Sequence, residues 1–183
     1  KQELKDLDRV LKHNVRGKIA TVAVLGNHDY GFKWQQKKIA NQVSQTLRKN
    51  KIKVLRNQVY NIKGLNFIGF DDLWGPNFNP KVVMRKYNAH KANIVLCHNP
   101  DACDLDIWNS YKGWILSGHT HGGQCKPPFL DPPLLPIKNK DYSAGEVNLL
   151  DERMLYVNRA LGHSLQVRFN VRPEITIFTL EKT

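Results

Sequence analysis

The chain has 183 residues, 41% of them hydrophobic and 9% aromatic, so it is long and apolar enough to bury a sizeable core. This composition excludes an intrinsically disordered chain, and no apolar run in the sequence is long enough to span a bilayer. The formal net charge of +12 predicts attraction to polyanions such as nucleic acid, an anionic membrane or a phosphorylated substrate, although a lysine-rich solvated surface is the alternative.

Hydrophobic patterning predicts helices that alternate with strands, which is typical of a mixed α/β domain. The spacing of Leu4, Leu7 and Leu11 predicts a first amphipathic helix. Helices are expected over residues 2–13, 35–50, 81–90 and from 100 to about 111. Short apolar or alternating runs predict strands at 19–25, 54–62, 65–70, 94–97, 114–116, 154–157, 166–169 and 175–180.

Residues 126–140 interrupt this pattern, because their prolines exclude a regular helix or a central strand. Apolar residues alternate with the prolines, and Lys126, Lys138 and Lys140 flank them. An apolar tip surrounded by lysines is typical of a peripheral membrane contact. A loop that packs back on the domain is the alternative.

The three cysteines, Cys97, Cys103 and Cys125, do not follow the spacing of a zinc-binding motif. Their odd number argues against a disulfide framework and favours a reducing compartment. We therefore expect a cytoplasmic protein.

Histidines follow three of the apolar strands at the point where each strand ends. Leu25 leads into Gly26-Asn27-His28-Asp29, Leu96 into His98, and Leu116 into Ser117-Gly118-His119-Thr120-His121. Because ligands of open α/β sheets bind at the carboxyl ends of strands, we expect these side chains to meet. Imidazole with carboxylate and amide oxygens suits Zn, Fe or Mn. In His119-Thr120-His121 the two imidazoles can each serve a different ion of a metal pair.

The motifs Gly26-Asn27-His28-Asp29, His98 and Gly118-His119-Thr120-His121 resemble, in order and spacing, those of the calcineurin-like metallophosphoesterase family. Residues 68–72, 96–101, 116–124, 158–162 and 172–175 are similar to a bacterial subgroup of phosphodiesterases related to enzymes that cleave UDP-2,3-diacylglucosamine. The resemblance implies one α/β domain over residues 1–183, built as a two-sheet αββα sandwich. It also implies an enzyme that hydrolyses a phosphodiester or pyrophosphate bond of a lipid-linked or nucleotide substrate.

Carried over residue by residue, the resemblance implies that Asn27, His98 and His119 bind one divalent metal ion and that His121 binds a second. The two ions would be Mn, Fe or Zn, and a metal-bridging hydroxide would attack phosphorus. His28 would lie beside the scissile phosphate as a catalytic residue, and Asp29 would orient the His28 ring.

The family pattern also has Asp-x-His and Gly-Asp motifs upstream of Asn27, and neither occurs in this sequence. We expect the bridging aspartate and most of the second metal site to precede Lys1 in a longer protein. The sandwich would then be N-terminally incomplete here, and the isolated 183 residues would be inactive or impaired. A degenerate family member is the alternative.

Two other classes of function stay open. A non-catalytic binding protein would keep the fold and at most one metal ion. A nuclease or nucleic-acid binder would account for the charge, but no motif that reads nucleic acid occurs, so no specific nucleic acid is expected. The expected ligand is a phosphorylated small molecule or a lipid-linked substrate, with no obligate protein partner.

Individual histidines also have alternative interpretations. His28 or His98 taken singly could be a core histidine, and His163 could approach the site.

Overall fold

The structure, a computed structural model, describes residues 2–13, 16–163 and 165–181. Within these ranges the α-helices are α1 (Gln2–Lys12), α2 (Lys37–Lys49) and α3 (Pro80–Met84). The strands are β1 (Val22–Ala23), β2 (Lys53–Val54), β3 (Gln58–Ile62), β4 (Leu65–Gly69), β5 (Ala92–Leu96), β6 (Gly113–Ser117), β7 (Gly145–Asn148) and β8 (Arg153–Val157). Short 3₁₀ turns connect several of these elements, among them Asn27–Tyr30, Pro100–Asp104 and His121–Gly123.

Six strands form one mixed sheet in the order β3-β4-β5-β6-β8-β7. The four inner strands run parallel to one another, and β3 and β7 pair antiparallel at the two edges. The carboxyl ends of β4, β5, β6 and β8 therefore lie along one side of the sheet. This arrangement places the segments that follow Gly69, Leu96, Ser117 and Val157 beside one another.

The main hydrophobic core packs against this sheet. It includes Ile68, Val95, Ile115 and Leu155 from the four inner strands, and each of these side chains is at most 1% exposed. Continuous apolar runs are typical of parallel strands that are covered on both faces. Much of the rest of the cluster comes from α3 and the connecting segments, for example Val83, Met84, Trp108 and Tyr142.

A second, smaller sheet consists of β1 and β2, which pair in parallel with Val22 opposite Lys53 and Ala23 opposite Val54. The helices α1 and α2 pack beside it around a separate hydrophobic cluster. Its buried members are Leu25, Tyr30, Ala40, Val43 and Val54.

The predicted α/β class with two sheets is confirmed by this arrangement. That residues 1–183 form a single domain stays a prediction. None of the helices within the described ranges is long and apolar enough to cross a membrane.

Two predicted helices are much shorter than expected. The helix predicted over 81–90 is confined to Pro80–Met84, and beyond it the Asn88 side chain accepts a hydrogen bond from the His90 N–H in a local turn. The helix predicted from Pro100 to Tyr111 is only a 3₁₀ turn over Pro100–Asp104. Asn109 and Ser110 have positive φ angles of 49° and 56°, which a helix does not allow.

Several strand predictions need correction as well. Of 19–25, only Val22–Ala23 pairs as a strand, and the run predicted at 54–62 is broken by Asn57, whose φ is 53°. The Asn57 side chain accepts hydrogen bonds from the Asp71 and Asn79 N–H groups, which fixes this break. The strand β7 was not predicted, because Gly145-Glu146-Val147-Asn148 is poor in residues that favour strands. The predicted turn at Lys63-Gly64 is confirmed, with both φ angles positive.

The strands predicted at 166–169 and 175–180 are wrong for the described part of the chain. Phe169 forms only an isolated bridge to Cys125. In the described tail, side chains rather than a backbone ladder make the contacts: Phe178 packs edge-on against Tyr156, with ring centroids 5.1 Å apart. An alternating sequence becomes a strand only where a neighbouring backbone edge accepts its hydrogen bonds, and no described strand does so here.

Candidate metal centre

Three side chains from separate strand ends converge at the edge of the sheets. The Asn27 Oδ1 atom lies 3.2 Å from His98 Nε2 and 3.2 Å from His119 Nδ1. The same two ring nitrogens are 3.3 Å apart. Asn27 follows the β1 segment, His98 follows β5 and His119 follows β6, so the loops predicted to meet do meet.

Hydrogen bonding fixes the His119 ring so that Nδ1 faces this cluster without a proton. The Nε2 atom of His119 lies 3.0 Å from the Pro136 carbonyl oxygen, which can only accept a hydrogen bond, so Nε2 carries the proton. Burial lowers the pKa of His119, which keeps the ring neutral and leaves Nδ1 as a lone-pair donor. Its lone pair then points at the Asn27 carbonyl oxygen, another acceptor, and a cation between them would remove this repulsion.

The three atoms fit a single metal ion. Ligands about 2.0–2.2 Å from an ion lie roughly 3 Å from one another, close to the separations of Asn27 Oδ1, His98 Nε2 and His119 Nδ1. The set holds two imidazoles and one amide. It therefore has only two members of the His, Cys, Asp and Glu type, and no group of three or more such side chains among the described residues is placed to hold an ion.

The surroundings keep His98 neutral and in place. Burial, and then the neighbouring His119, lowers the pKa of His98 to about 3, so the ring is neutral at ordinary pH and offers one nitrogen lone pair. The His98 ring packs against the backbone of Gly26, where a Cβ atom would lie only 2.7 Å from Nε2. Gly26 therefore contributes to the site because its missing side chain leaves room for the His98 ring.

His121 lies beside this cluster but does not join the three atoms. Burial, followed by the charge of Arg168, lowers the pKa of His121. The Nδ1 atom of His121 is buried and has no hydrogen-bond partner among the described residues. An orphaned imidazole nitrogen is compatible with a ligand for a second ion, and that role stays a prediction.

His28 and Asp29 occupy the same turn as Asn27. The exposed His28 lines a cavity of about 640 Å³ together with Asn27, His98, His119 and His121. The Asp29 Oδ2 atom accepts a 2.8 Å hydrogen bond from the Gly26 N–H, so this carboxylate holds the turn that carries Asn27. Burial raises the pKa of Asp29. The orientation of His28 by Asp29 stays a prediction.

Two tryptophans of this cavity were missed by the sequence interpretation. Trp74 meets the edge of the His119 ring with centroids 4.5 Å apart, and Trp34 stacks obliquely on Trp74 at 4.6 Å. Trp74 follows strand β4 as the histidines follow β5 and β6, so the same strand-end signal could have identified it. His163 also lines the cavity.

The residues between β4 and Trp74 have structural roles. Asp71 is 1% exposed and binds the Arg56 guanidinium and the Tyr30 hydroxyl, while Asp72 Oδ1 accepts a hydrogen bond from the Trp74 N–H. The Asp72 carboxylate therefore stabilises the turn that follows β4. Arg159 forms an ion pair with Glu174 rather than facing the cluster as a free cation.

The chain is similar in sequence to several known proteins. Over 167 residues the chain is 34% identical to the phosphodiesterase YaeI of Escherichia coli, an alignment that covers 87% of this chain and 58% of that protein. It is 32% identical over 165 residues to a protein of Bacillus subtilis named uncharacterized metallophosphoesterase YkuE, covering 88% and 56%. It is also 32% identical over 140 residues to the UDP-2,3-diacylglucosamine pyrophosphatase LpxG of Chlamydia trachomatis, covering 72% and 42%.

These relatives show that the chain belongs to the metallophosphoesterase family. Two of the proteins that are similar to the chain carry the name UDP-2,3-diacylglucosamine pyrophosphatase LpxG. No family model matches the chain. No solved structure matches it significantly.

The chain spans about half the length of the curated relatives that it matches, between 42% and 58% of the three named above. The names of these relatives support a phosphodiesterase or pyrophosphatase hydrolase, and the family name implies the use of divalent metal ions.

Proposed function

We propose that the protein containing this chain hydrolyses a phosphodiester or pyrophosphate bond with the help of two divalent metal ions, Mn, Fe or Zn, on a lipid-linked or nucleotide substrate. The observation that carries the proposal is the triangle of Asn27 Oδ1, His98 Nε2 and His119 Nδ1, with sides of 3.2 to 3.3 Å. A bound divalent ion supplies Lewis-acid stabilisation of charge on a phosphoryl oxygen and lowers the pKa of water.

The residues of the chain have distinct roles in this proposal. Asn27, His98 and His119 hold one ion through lone pairs that burial keeps unprotonated on the two rings. His121 contributes to a second ion through its unpartnered Nδ1. The Asp-x-His and Gly-Asp motifs that the family resemblance implies for this site do not occur in the sequence.

His28 is proposed to act on the phosphate directly. It lies in the turn next to Asn27 and is exposed to the 640 Å³ cavity, so its ring can reach a bound phosphate. There it would donate a hydrogen bond to a phosphoryl oxygen or a proton to the leaving oxygen. The net charge of +12 favours the approach of an anionic substrate.

Turnover of bis(p-nitrophenyl) phosphate with Mn²⁺ by the complete protein tests this proposal. We expect His119→Ala to lose metal binding and activity, and His28→Ala to keep metal binding while kcat falls by roughly 10²-fold or more. His90→Ala, which changes an exposed residue away from the cavity, is the matched control. Undiminished turnover in both site variants would show that this site does not carry the reaction, and a parent protein without turnover would leave a non-catalytic binding protein as the function.

A cytoplasmic protein with a peripheral membrane contact through residues 126–140 is a second part of the proposal. Its support is the tip of the loop, where Phe129 is fully exposed and Leu130 is 64% exposed. Lys140 does not contribute to a charged ring, because its Nζ atom binds the Leu135 and Ile137 carbonyl oxygens. Co-sedimentation with anionic vesicles should fall in the Phe129→Ser, Leu130→Ser double variant, and unchanged sedimentation would exclude this contact.

A further inference from the structure

The surface formed by residues 30–100 carries charge of one sign. The acids of this segment, Asp71 and Asp72, are each only 1% exposed, so every exposed charged side chain in it is a lysine or an arginine. Those on and directly after helix α2 are Lys37, Lys38, Arg48, Lys49, Lys51 and Lys53. None of these cations forms an ion pair with a described residue. A surface with such uncompensated positive charge attracts polyanions.

Helix α2 turns a wholly polar face outward. Its apolar side chains, among them Ala40 and Val43, belong to the smaller hydrophobic cluster. The exposed residues between the ends of the helix are Lys37, Lys38, Asn41, Gln45, Arg48 and Lys49. A helix that lies in a membrane surface places apolar side chains in the lipid, and α2 has none left for that purpose. Its outer face therefore fits a polyanion in solution better than a membrane.

The length of this face suits a chain of phosphates. Lys37 and Arg48 are about 16 Å apart along the helix axis, a distance that covers several successive phosphates of a nucleic-acid strand. Lys53 and Lys86 line a shallow cavity of about 400 Å³ beside β2, which extends the basic surface beyond the end of α2.

The middle of the face offers hydrogen-bond donors instead of acceptors. Arg56 Nη1 donates a 2.7 Å hydrogen bond to Asn41 Oδ1, so the amide N–H groups of Asn41 are the part of this side chain that is left to donate. Arg56 is also paired with the buried Asp71, which neutralises the carboxylate beneath the surface. An anion on α2 therefore meets cations and donors and no exposed carboxylate.

Exposed aromatic rings stand where α2 begins. Phe32 is 72% exposed and Trp34 37% exposed, and the Lys33 ammonium between them lies 5.5 Å from the centre of the Phe32 ring. Lys33 and Trp34 have φ angles of 50° and 60°, which residues other than glycine seldom adopt. Unusual backbone conformations of this kind cluster at functional sites. Proteins that hold single strands combine a basic track for phosphates with aromatic rings on which bases stack.

We propose that α2 and Phe32 form a binding surface for single-stranded nucleic acid, independent of base sequence. Lys37, Lys38 and Arg48 contact successive phosphates, and Phe32 stacks on a base. The contact goes beyond the proposed hydrolysis and needs no turnover at the metal centre. A base must be unpaired to stack on Phe32, so the surface prefers a single strand to a duplex.

Fluorescence anisotropy of a labelled oligothymidine with the complete protein tests the phosphate contacts. In the triple variant Lys37→Ala, Lys38→Ala, Arg48→Ala, affinity should fall by at least ~10-fold. The slope of log Kd against log[NaCl] should decrease by about 2, since each contact to a single strand contributes roughly 0.7. Alanine favours helix, so α2 stays folded. The triple variant Lys126→Ala, Lys138→Ala, Arg172→Ala removes the same charge from exposed residues elsewhere and should keep the parent slope. Equal losses in the two triple variants would overturn the inference, because net charge alone would then explain binding.

The stacking contact is tested with the same oligothymidine and a duplex of equal length. Phe32→Ala should weaken binding of the single strand by at least ~5-fold and leave binding of the duplex unchanged. Phe129→Ala, which removes another fully exposed ring, should bind the single strand like the parent. A parent protein that binds the duplex as tightly as the single strand would overturn the inference.

Co-sedimentation with phosphatidylglycerol vesicles tests the membrane as the other polyanion. Sedimentation of the Lys37→Ala, Lys38→Ala, Arg48→Ala variant should match that of the parent. Lost sedimentation together with unchanged oligothymidine binding would overturn the inference and assign the surface to an anionic membrane.

Discussion

The Nε2 atom of His119 donates a hydrogen bond to the Pro136 carbonyl oxygen across 3.0 Å, and this bond joins the proline-rich loop to the metal centre. Residues that hold the second nitrogen of a metal-binding histidine orient the ring and raise its basicity. The loop predicted from its prolines as an irregular segment therefore has a role in positioning His119.

Pro136→Gly should weaken Mn²⁺ binding, because the added backbone freedom loosens the carbonyl that fixes His119. A loss of roughly 10-fold in affinity is expected, at the lower end of the effects seen for such outer contacts. Pro128→Gly changes an exposed proline of the same loop and should bind Mn²⁺ like the parent. Equilibrium dialysis of the complete protein measures both, and equal affinities would show that the bond does not hold the ring.

Gly26→Ala should disrupt the metal centre without touching a ligand. The new Cβ atom would lie 2.7 Å from His98 Nε2, so the ring must move away from Asn27 Oδ1. We expect Mn²⁺ affinity to fall by at least ~10-fold. Gly162→Ala is the matched control, since a Cβ atom there meets nothing within 4 Å. Dialysis together with circular dichroism distinguishes a displaced ligand from an unfolded chain, and parent-like affinity in Gly26→Ala would contradict the geometry.

Asp72 should make the fold less stable as the pH rises. Burial raises the pKa of Asp72 to about 6, with Asp71 and Asp29 nearby, and its Oδ2 atom has no partner among the described residues. Because this pKa exceeds the unfolded value of about 3.9, the folded state holds the proton more tightly, and the contribution of Asp72 to stability is lost as the pH rises through about 6.

Urea unfolding at pH 5 and pH 8 measures this effect in Asp72→Asn. The variant should gain about 1.4 kcal/mol relative to the parent between pH 5 and pH 8, because an amide stays neutral. The side-chain amide of the variant still has an oxygen that can accept the hydrogen bond from the Trp74 N–H. A parent and variant with the same pH dependence would show that Asp72 ionises without penalty.

The ion pair between Arg56 and Asp71 should be costly to break from one side. Arg56 Nε lies 2.8 Å from Asp71 Oδ2, the two side chains are 14% and 1% exposed, and Tyr30 donates to the same carboxylate across 2.6 Å. Arg56→Met leaves a buried carboxylate and should reduce the free energy of unfolding by about 3–5 kcal/mol.

The double variant Arg56→Met, Asp71→Leu is the informative comparison. It removes both charges, so its loss of stability in urea unfolding should be smaller than that of Arg56→Met alone. Additive losses in the two single variants and the double variant would mean that the pair does not interact in the folded state.

The sequence was sufficient for the parts of the site that depend on one local rule. Asn27, His98 and His119 each follow a strand, and the parallel neighbours β5 and β6 bring His98 and His119 to one edge of the large sheet. Asn27 follows β1 of the small sheet, so its position beside the two histidines depends on how the two sheets pack. Trp74 obeys the same rule and was missed because a single aromatic residue after Asp71-Asp72 has an ordinary turn interpretation. Pro136 could not be found, since its role depends on a carbonyl group and on the path of a long loop.

The errors in the fold have a common cause. Pro100 and the Asn99 side chain do begin a helical turn, but Asn109 and Ser110 adopt positive φ angles that no propensity argument anticipates. Residues 175–180 alternate as a strand does, yet alternation specifies a face and not a partner. Local patterns thus predicted where elements begin more reliably than how far they extend.

The position of Asn27 has a consequence for the cooperativity of unfolding. The chain has two separate hydrophobic clusters, one at the large sheet and one between the small sheet and helices α1 and α2. Asn27 follows the small sheet, whereas His98 and His119, which lie 71 and 92 residues further along, follow the large one. An ion held by all three would link the clusters so that they melt together, and a chelator would let the small one open first in hydrogen exchange.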